Sequence, residues 1–342
     1  MIKKFISIFL IVLIMFALCG CGESKMYQKQ VFAMDTTMTL TAYGNKAEAG
    51  LEAAQASIVA LDSMVDPDKE TSTLYALNHA GGEKVSVNGL VAEMLNTALD
   101  VYEKSGGAYD LTLYPLIQRW GFINEKFYVP TADEIAEDLA RLCMDKIEVT
   151  AFPTSGTYSV YIPSYGELSF ASCAKGCAAK YAVDAMRKAG VTSGIVSLGG
   201  NVQTLGVKPD GSLWTIGITD PDNTTTYIAT VSIGENAVVT SGPYQRYMPS
   251  NPSYHHLLST KTGYPTSNGL SSVTVFCEDG TLADCLSTAM YVSGKSAALN
   301  YWKEYGGFDM LIITDDHEIT ATKGLMEKVA VTNSNYTLSF YE

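Results

Sequence analysis

The sequence predicts an α/β chain of the α+β type, in which helices pack against mixed or antiparallel sheets. Segments with the 3.6-residue period of a helix, such as Ala47 to Val65, follow segments that alternate in polarity like a strand, such as Thr37 to Tyr43. Strand-like segments become more frequent in the later half of the chain. Of the 342 residues, 47% are hydrophobic, which is enough for a sizeable core and argues against a disordered chain.

The elements of the first half are defined by their ends as well as by their period. The pair Gly106-Gly107 ends the second helix, and a capping box of Thr131 and Glu134 opens the third. In order, we predict a strand over Thr37–Tyr43, helices over Ala47–Val65, over Leu90–Lys104 and from Thr131 through Leu142, and strands within Lys146–Phe170 that are broken at Pro153 and Pro163.

The second half begins with a helix over Ala174–Lys188, which Gly190 closes. Strands follow, and one long helix lies among them. The predicted strands are Gly194–Leu198, Trp214–Ile218, Tyr227–Ile233, Ser272–Cys277, Met310–Thr314 and Tyr336–Tyr341, and the helix covers roughly Leu282 to Tyr301. The sequence has no repeats and no low-complexity linker after residue 30, so we predict that residues 31–342 form a single domain.

The first 21 residues resemble a bacterial lipoprotein signal. Lys3 and Lys4 precede an apolar run, Phe5 to Cys19, that is short for a membrane span and typical of a signal peptide. The run ends at Leu18-Cys19-Gly20-Cys21, the pattern of a lipoprotein precursor. We expect a signal peptide over residues 1–20, lipidation at Cys21, a polar tether over residues 21–30 and a lipid-anchored location on the extracytoplasmic face of the cell membrane. An ordinary signal peptide or an uncleaved anchor is the alternative.

The charge balance of the chain is acidic. The formal net charge is −13, and the 322 residues after the leader, without its two lysines, carry about −15. This balance argues against a general nucleic-acid binder, which needs a basic footprint. The five cysteines beyond the leader form no CxxC pair. We therefore predict that they are small buried residues rather than a metal site or a disulfide scaffold.

Three oxygen-bearing side chains recur at helical spacing in the later half. Asp284, Ser287 and Thr288 stand at positions i, i+3 and i+4, which places them on one helical face. A carboxylate and two hydroxyls without a histidine suit Mg²⁺, which commonly shares its ligands with substrate phosphates. The alternative is that Asp284 caps the helix and that the hydroxyls are incidental.

Two other side chains stand where they could serve phosphate chemistry. Lys175 lies at the start of the predicted helix that begins at Ala174, and a helix N-terminus offers free N–H groups to a phosphate. His256 precedes the turn at residues 261–265 and could act as a base that titrates near neutrality. A solvated lysine and a structural histidine are the alternatives.

Glycine and aromatic residues follow the second predicted helix. The segment Ser105-Gly106-Gly107-Ala108-Tyr109-Asp110 permits close approach of backbone to a ligand, and Trp120 and Phe122 could stack on a flat ring. The alternative is a helix C-cap followed by core packing. The sequence has no G-x-G-x-x-G motif after a strand, and Gly294-Lys295-Ser296 lacks the first glycine of a P-loop, which argues against a dinucleotide or P-loop site.

Together these segments resemble the ApbE family, the FAD:protein FMN transferases. The resemblance covers nearly the whole chain after the leader, with its motifs in order. The motifs are Met34-Asp35-Thr36, Ser72-x5-Asn78, Ser105 to Asp110, Pro115-Leu116, Trp120-Gly121-Phe122, Ala174-Lys175-Gly176, Leu198-Gly199-Gly200-Asn201, Thr240-Ser241-Gly242 with Tyr244 and Arg246, Tyr254-His255-His256, Lys261-Thr262-Gly263-Tyr264-Pro265, and Ala283-Asp284 with Ser287-Thr288-Ala289.

The resemblance implies an ApbE-like T-fold architecture and a flavin transfer. FMN would move from FAD to a threonine hydroxyl of an acceptor, either a flavoprotein subunit of a membrane redox complex or another extracytoplasmic flavoprotein, and AMP would be released. Mg²⁺ would be held by Asp284, Thr288 and a backbone carbonyl near Ser172, and His256 is our candidate base. The implied flavin or nucleotide contacts are Met34, Ser72, Ala108, Tyr109, Asp110, Ser169, Lys175 and Leu258, with Ser287 as an additional contact.

The sequence departs from the family pattern in three places. Ser169-Phe170-Ala171-Ser172 stands where Asp-Leu-Gly-Gly is usual, which removes a carboxylate expected at the nucleotide. Asp35 replaces a glycine, and Lys180 replaces an aspartate often found five residues after Lys175. Two other functions stay open: a Mg²⁺-dependent FAD pyrophosphatase that releases FMN and AMP, and a flavin-binding lipoprotein without turnover.

Overall fold

The computed structural model describes residues 24–152 and 156–342. The strands are β1 (Met26–Ala33), β2 (Thr36–Tyr43), β3 (Val85–Val87), β4 (Glu148–Ala151), β5 (Tyr158–Tyr161), β6 (Gly194–Leu198), β7 (Asn201–Leu205), β8 (Trp214–Thr219), β9 (Tyr227–Ile233), β10 (Ala237–Ser241), β11 (Tyr247–Met248), β12 (Asn251–His255), β13 (Leu270–Cys277), β14 (Asp309–Thr314), β15 (Glu318–Thr322), β16 (Val329–Val331) and β17 (Thr337–Tyr341). The helices are α1 (Ala47–Val65), α2 (Thr73–Asn78), α3 (Gly89–Lys104), α4 (Tyr114–Arg119), α5 (Ala132–Leu139), α6 (Ala174–Lys188), α7 (Gly280–Ser293) and α8 (Lys295–Tyr305).

A nine-stranded sheet organises the described residues, in the order β1-β2-β6-β7-β10-β13-β14-β15-β17. Its neighbouring strands are antiparallel except β15 and β17, which run parallel. Three smaller sheets have the orders β16-β9-β8, β3-β5-β4 and β11-β12. The mixed sheets with packed helices confirm the predicted α+β class.

The two faces of the large sheet are covered by different elements. Residues of α1, α3, α6 and α7 form the larger core with one face, where Leu40 and Val196 are fully buried. The other face packs against the sheet of β8, β9 and β16, and Leu311 there belongs to the same core as Trp214. Helices α6 and α7, which carry Lys175 and Asp284, therefore lie on the first face.

Several predicted elements have the bounds that their end signals indicated. Helices α1 and α6 begin and end as predicted, and the predicted capping box of Thr131 and Glu134 opens α5 with both of its hydrogen bonds. The five cysteines in the described residues are free and buried, as predicted.

The predicted tether was wrong over residues 26–30. These residues belong to β1, an edge strand that pairs with β2 along its whole length. Val31 and Ala33 are buried, whereas Gln28 and Gln30 are exposed. The exposed face of this edge strand mixes Gln28 and Gln30 with the apolar Met26 and Phe32, so the sequence shows no clear alternation.

Two further predictions need correction. The long helix near residue 290 is two helices, because Gly294 adopts φ +80° between α7 and α8, a conformation that interrupts the helical backbone. Glu167–Phe170, predicted as a strand, has no ladder partner in the described residues. Asn78 instead holds this segment, since its side-chain amide donates to Leu168 O at 2.9 Å and accepts from Leu168 N at 3.0 Å.

The predicted signal peptide and the lipidation at Cys21 lie outside the described residues. Across residues 24–152 and 156–342, no helix has both the length and the apolar character needed to cross a membrane.

Candidate active site

The site is built where α6 and α7 meet at two glycines. A Cβ on Gly176 would lie 2.0 Å from the carbonyl oxygen of Gly280, and a Cβ on Gly280 would lie 2.5 Å from that of Gly176. Both positions therefore require glycine, because any side chain would force the helices apart. The close crossing brings the N-terminal turn of α6 to Asp284, whose Oδ2 accepts a hydrogen bond from Gly176 N at 2.8 Å.

Asp284 is a buried carboxylate without a full set of donors. It is 6% exposed, and Gly176 N–H makes the one hydrogen bond to it from the described residues. Burial raises the pKa of Asp284, while the charge of Lys175 and the Gly176 N–H oppose that rise. The predicted alternative, that Asp284 caps the helix, is wrong, because Asp279 caps α7 by accepting from Leu282 N. The carboxylate is thus free for another partner.

Three hydroxyls continue the site from Asp284. Ser287 and Thr288 share its helical face, as predicted, and Ser241 at the end of β10 reaches both of them. The distances from Ser241 Oγ are 2.9 Å to Ser287 Oγ and 3.3 Å to Thr288 Oγ1. Thr288 is partly exposed, whereas Ser287 is fully buried. Ser287 therefore supports the site from inside, and the structure does not place it on a surface open to a nucleotide.

The N-terminus of α6 supplies the positive side of the site. Lys175 is partly exposed in the first helical turn, and Cys173 occupies the N-cap without a side-chain cap hydrogen bond. Ala174 N and Gly176 N already donate to Phe170 O and Asp284 Oδ2, so the charge of Lys175 and the helix dipole are what favour a phosphate at this end. Ser172 precedes this turn, and its hydroxyl lies 3.0 Å from Tyr109 Oη, so its side chain is tied to the core.

His256 directly follows β12, and a backbone carbonyl oxygen orients its ring. Its Nδ1 lies 3.0 Å from the carbonyl oxygen of Arg246, which can only accept, so Nδ1 carries the proton and the lone pair of Nε2 is left for a proton to be taken up. Burial lowers the pKa of His256 to about 3, and the nearby charges of Arg246 and Lys175 add to this effect. The ring is therefore neutral at pH 7.

The loop at residues 105–110 packs beside the 258–265 segment. Thr260 Oγ1 donates to Gly107 O at 2.7 Å, which joins the two segments. Asp110 caps the short helical turn after it, accepting from Thr112 N and Thr112 Oγ1, and burial raises the pKa of Asp110 to about 6. Tyr109 is 1% exposed. Of the predicted contacts here, the Tyr109 side chain is therefore committed to the core, whereas Ala108 and Asp110 are partly accessible.

Two of the other predicted contacts form tight local structure. Met34 and Asp35 are the two turn residues between β1 and β2, with φ of +49° and +53°, as a type I′ hairpin turn requires. Asp35 therefore adopts the conformation for which glycine is usual, and Asp62 Oδ1 accepts from Met34 N. Ser72 is buried as the N-cap of α2, where its hydroxyl accepts from Tyr75 N.

The remaining predicted residues also have local roles. Ser169 N donates to Leu111 O, and its hydroxyl accepts from Ala171 N, so this serine forms a turn where the family has an aspartate. Leu258 is buried with Trp120 and Phe122 in a small separate core. The proposed stacking of Trp120 and Phe122 on a ligand ring is wrong, since both are fully buried.

Lys180, the third departure from the family pattern, lies outside the site. Its ammonium lies 2.5 Å from a carboxylate oxygen of both Glu93 and Asp279. Asp279 is the N-cap of α7, so Lys180 ties α6 to α3 and to the start of the helix that carries Asp284. The lysine is accommodated because two carboxylates face it.

The donor set fits a hard cation such as Mg²⁺. The described residues contain no cluster of three or more His, Cys, Asp or Glu side chains that could hold a metal ion. A cation here would rely on the Asp284 carboxylate, the Thr288 hydroxyl and a carbonyl near Ser172, with water or phosphate oxygens completing its shell, which is how Mg²⁺ is commonly bound. The buried and incompletely paired carboxylate is the feature of the structure that fits.

Sequence reasoning did not assign the supporting residues. Ser241 and Asn201 belong to the motifs that carry the resemblance, yet no role was given to them. Asn201 is 3% exposed, close enough to Asp284 to influence its pKa, and its Nδ2 has no hydrogen-bond partner within the described part of the chain. A run of 42 residues without a carboxylate, 236–277, also surrounds His256 and was visible in the sequence of this acidic chain.

The fold is that of ApbE structures. The structure is similar to that of the ApbE protein from Thermotoga maritima, with a TM-score of 0.80 and 28% identity over 89% of this chain and 99% of that one. It is also similar to the apo form of the flavinyl transferase ApbE from Pseudomonas stutzeri, with a TM-score of 0.78, 26% identity and coverage of 90% and 98%.

Sequence comparison places the chain in a family. The model of the ApbE family matches residues 34–312, and the chain belongs to this family. A curated relative from Treponema pallidum, named FAD:protein FMN transferase, is 29% identical over 94% of this chain and 95% of its own length. A relative of the same name from Haemophilus influenzae is 29% identical over 96% of this chain and 99% of its own.

Proposed function

We propose that this chain is an FAD:protein FMN transferase that moves FMN from FAD to a threonine hydroxyl of an acceptor flavoprotein, releases AMP and depends on Mg²⁺. The names of its relatives support flavin transfer. The observation that carries the finer proposal is the buried carboxylate of Asp284, which shares a helical face with Thr288 and faces Lys175 at the N-terminus of α6.

The reaction breaks the anhydride bond of the FAD diphosphate and forms a phosphate ester with threonine. The threonine oxygen forms a bond to the phosphorus on the FMN side of the diphosphate, and the bond from that phosphorus to the bridging oxygen breaks. The electron pair of that bond leaves with AMP, and the hydroxyl proton goes to a base. Such a transfer depends mainly on positioning and on charge stabilisation at the phosphoryl oxygens.

The residues of this chain divide these tasks. His256 accepts the proton at Nε2, because its Nδ1 proton is directed at Arg246 O and Nε2 keeps its lone pair. Lys175 binds the diphosphate by its charge, and the dipole of α6 at this end adds to the attraction. Asp284 and Thr288, with a carbonyl near Ser172, would hold Mg²⁺, which when bound supplies positive charge to the phosphoryl oxygens.

The proposed site resolves a problem of overall charge. FAD carries an anionic diphosphate, and the chain carries a net charge of −13. The carboxylate-free run at residues 236–277 includes Arg246, His256 and Lys261. Together with Lys175, it gives the substrate a local environment that the acidic chain as a whole does not offer.

The location and the partners complete the proposal. We propose that the chain is lipidated at Cys21, is anchored on the extracytoplasmic face of the cell membrane and modifies flavoprotein subunits of membrane redox complexes or extracytoplasmic flavoproteins. The leader pattern in the sequence supports this. Metabolic labelling with a fatty-acid probe should mark the wild-type chain and not Cys21→Ala.

Co-expression with a flavoprotein acceptor subunit tests the reaction. Mass spectrometry should find a mass increase of one FMN on an acceptor threonine with the wild-type chain and none with Asp284→Asn. Asp220→Asn is a matched control, since Asp220 is equally buried and lies on the other face of the sheet. An adduct of equal yield with Asp284→Asn would contradict the cation role. Rapid AMP release from FAD without any acceptor would instead indicate a pyrophosphatase.

A further inference from the structure

Four oxygen atoms form a continuous hydrogen-bonded chain beneath the proposed cation position. Thr288 Oγ1 lies 3.3 Å from Ser241 Oγ, and Ser241 Oγ lies 2.9 Å from Ser287 Oγ. Ser287 Oγ donates to the backbone carbonyl of Asp284 at 3.0 Å. The chain thus connects the partly exposed Thr288 to a carbonyl inside α7, through two hydroxyls that are nearly or fully buried.

Counting protons fixes the direction of every bond in this chain. A hydroxyl has one proton to donate and two lone pairs to accept with. The carbonyl of Asp284 can only accept, so the proton of Ser287 is committed to it. Ser241 must therefore donate to Ser287. With its own proton used, Ser241 can only accept from Thr288.

The direction of the last bond determines what Thr288 offers to a ligand. Its proton is directed inward, at Ser241, and it has no other hydrogen-bond partner in the part of the chain that the structure describes. Its lone pairs are consequently free. A neutral hydroxyl binds a cation through a lone pair, and a proton aimed at the cation would repel it.

We propose that Ser241 and Ser287 are positioning residues that orient the Thr288 hydroxyl so that its lone pairs face the cation. This inference rests on the proposed function, because it assigns these residues to the same Mg²⁺ site. It gives Ser287 a role different from the predicted nucleotide contact. It also explains the burial of both serines, since a chain of hydroxyls keeps one direction when water cannot supply competing donors.

Cation affinity measured without FAD tests the inference. Mg²⁺ binding to the purified chain would be followed by calorimetry, and Mn²⁺ binding by electron paramagnetic resonance. In Ser241→Ala the Thr288 proton loses its acceptor, and we expect Mg²⁺ to bind about 10- to 100-fold more weakly, as is typical for loss of an outer partner of a metal ligand. Ser241→Thr keeps a hydroxyl and should restore most of the affinity.

Two further variants distinguish an effect of hydrogen-bond direction from an effect of packing. Ser287→Ala frees the Ser241 proton, so the Ser241–Thr288 bond can reverse, and the loss of affinity should lie between those of wild type and Ser241→Ala. Thr274→Val removes a hydroxyl pair of similar length, Thr240 Oγ1 to Thr274 Oγ1 at 2.8 Å, which does not reach α7. Its Mg²⁺ affinity should equal that of the wild type. Thermal unfolding of each variant checks that it is folded.

The outcomes distinguish this inference from the proposed function. If the wild type binds Mg²⁺ and folded Ser241→Ala binds it equally well, the positioning role is wrong while the cation site stands. Equal losses in Ser241→Ala and Thr274→Val would also overturn the role, because they would indicate general packing. If the wild type binds neither cation, the proposed cation site fails and the inference fails with it.

Discussion

Each face of the nine-stranded sheet has a buried carboxylate near it, and the two differ in how many hydrogen bonds they accept. Asp220, beside the core of β8 and β9, is 5% exposed and accepts three hydrogen bonds, from Tyr336 Oη, Asn333 Nδ2 and Asp222 N. Asp284, on the helical face, is 6% exposed and accepts one, from Gly176 N.

The difference separates a structural carboxylate from a functional one. Protein donors bond to both oxygens of Asp220, so its desolvation is compensated when the chain folds. Asp284 accepts a single well-formed hydrogen bond from the described residues, at Oδ2, and burial raises its pKa although Lys175, Gly176 N–H and the nearby Asn201 side chain oppose that rise. A buried carboxylate that accepts so few hydrogen bonds is suited to binding a cation.

The largest expected effect comes from exchanging these two carboxylates for amides. Asp284→Asn should lower the rate of FMN transfer by about 1,000-fold, because a bound metal ion contributes several kcal/mol of charge stabilisation. The same variant, without Mg²⁺, should be at least as stable as the wild type, since its buried charge is gone. Steady-state kinetics and urea unfolding measure the two effects.

Asp220→Asn should show the opposite pattern. It disturbs a fully hydrogen-bonded group and should lower the free energy of unfolding by about 1–3 kcal/mol while leaving the transfer rate unchanged. Equal effects of the two substitutions on rate would contradict the distinction drawn between the two faces.

The close crossing of α6 and α7 is the feature that we expect to be next most sensitive to substitution. Gly176→Ala places a Cβ 2.0 Å from Gly280 O and should destabilise the chain by about 3 kcal/mol, because backbone cannot yield as a side chain can. Gly211→Ala is a comparison in which only the backbone is strained, since Gly211 has a φ of +84° and its Cβ would meet no atom within 4 Å, whereas Gly176 is helical. A smaller loss of stability in Gly176→Ala than in Gly211→Ala would show that α6 and α7 are not held this closely.

Lys180 allows a test against the family pattern. Lys180→Asp introduces the residue often found in the family, yet it would place three carboxylates together with Glu93 and Asp279. We expect a loss of about 2 kcal/mol or more, and a smaller loss for Lys180→Met, which removes the charge without adding repulsion. Chemical denaturation compares the two variants, and a Lys180→Asp chain more stable than Lys180→Met would refute this account.

The smallest expected effect at neutral pH is that of His256, because it appears only as the pH falls below 6.5. Its folded pKa of about 3 lies below the ordinary value of 6.5, so the folded and unfolded states bind equal numbers of protons at this site above pH 6.5. As the pH falls from 6.5 toward 3, the unfolded chain gains a proton that the folded chain does not, and stability is lost by about 1 kcal/mol per pH unit. His256→Gln should remove this contribution, and an unchanged pH slope in that variant would show that the pKa of His256 is not lowered in the folded state.

The sequence predicted those parts of the fold and site that depend on local patterns. The helical face of Asp284 and Thr288, the helix that begins at Ala174 and the capping box at Thr131 all follow from spacing within one element. The resemblance added the order of the motifs, and the match of the family model over residues 34–312 confirms the family.

Contacts between distant segments could not be predicted in this way. Ser241 meets Ser287 and Thr288 across 46 and 47 residues, and Gly176 meets Asp284 across 108. Nothing local marks these partners. The edge strand β1 was missed because its polar residues resemble a tether. The break at Gly294 was missed because a single glycine is often tolerated within a helix.

The central claim is that a cation binds at Asp284 and not at Asp220, and an anomalous diffraction experiment tests it most directly. Crystals of the chain would be soaked with Mn²⁺ and ADP, which supplies a diphosphate. The account predicts an anomalous peak about 2.2 Å from an Asp284 carboxylate oxygen and from Thr288 Oγ1, with none at Asp220. A peak that contacts neither Asp284 nor Thr288, or no peak at saturating Mn²⁺, would contradict it.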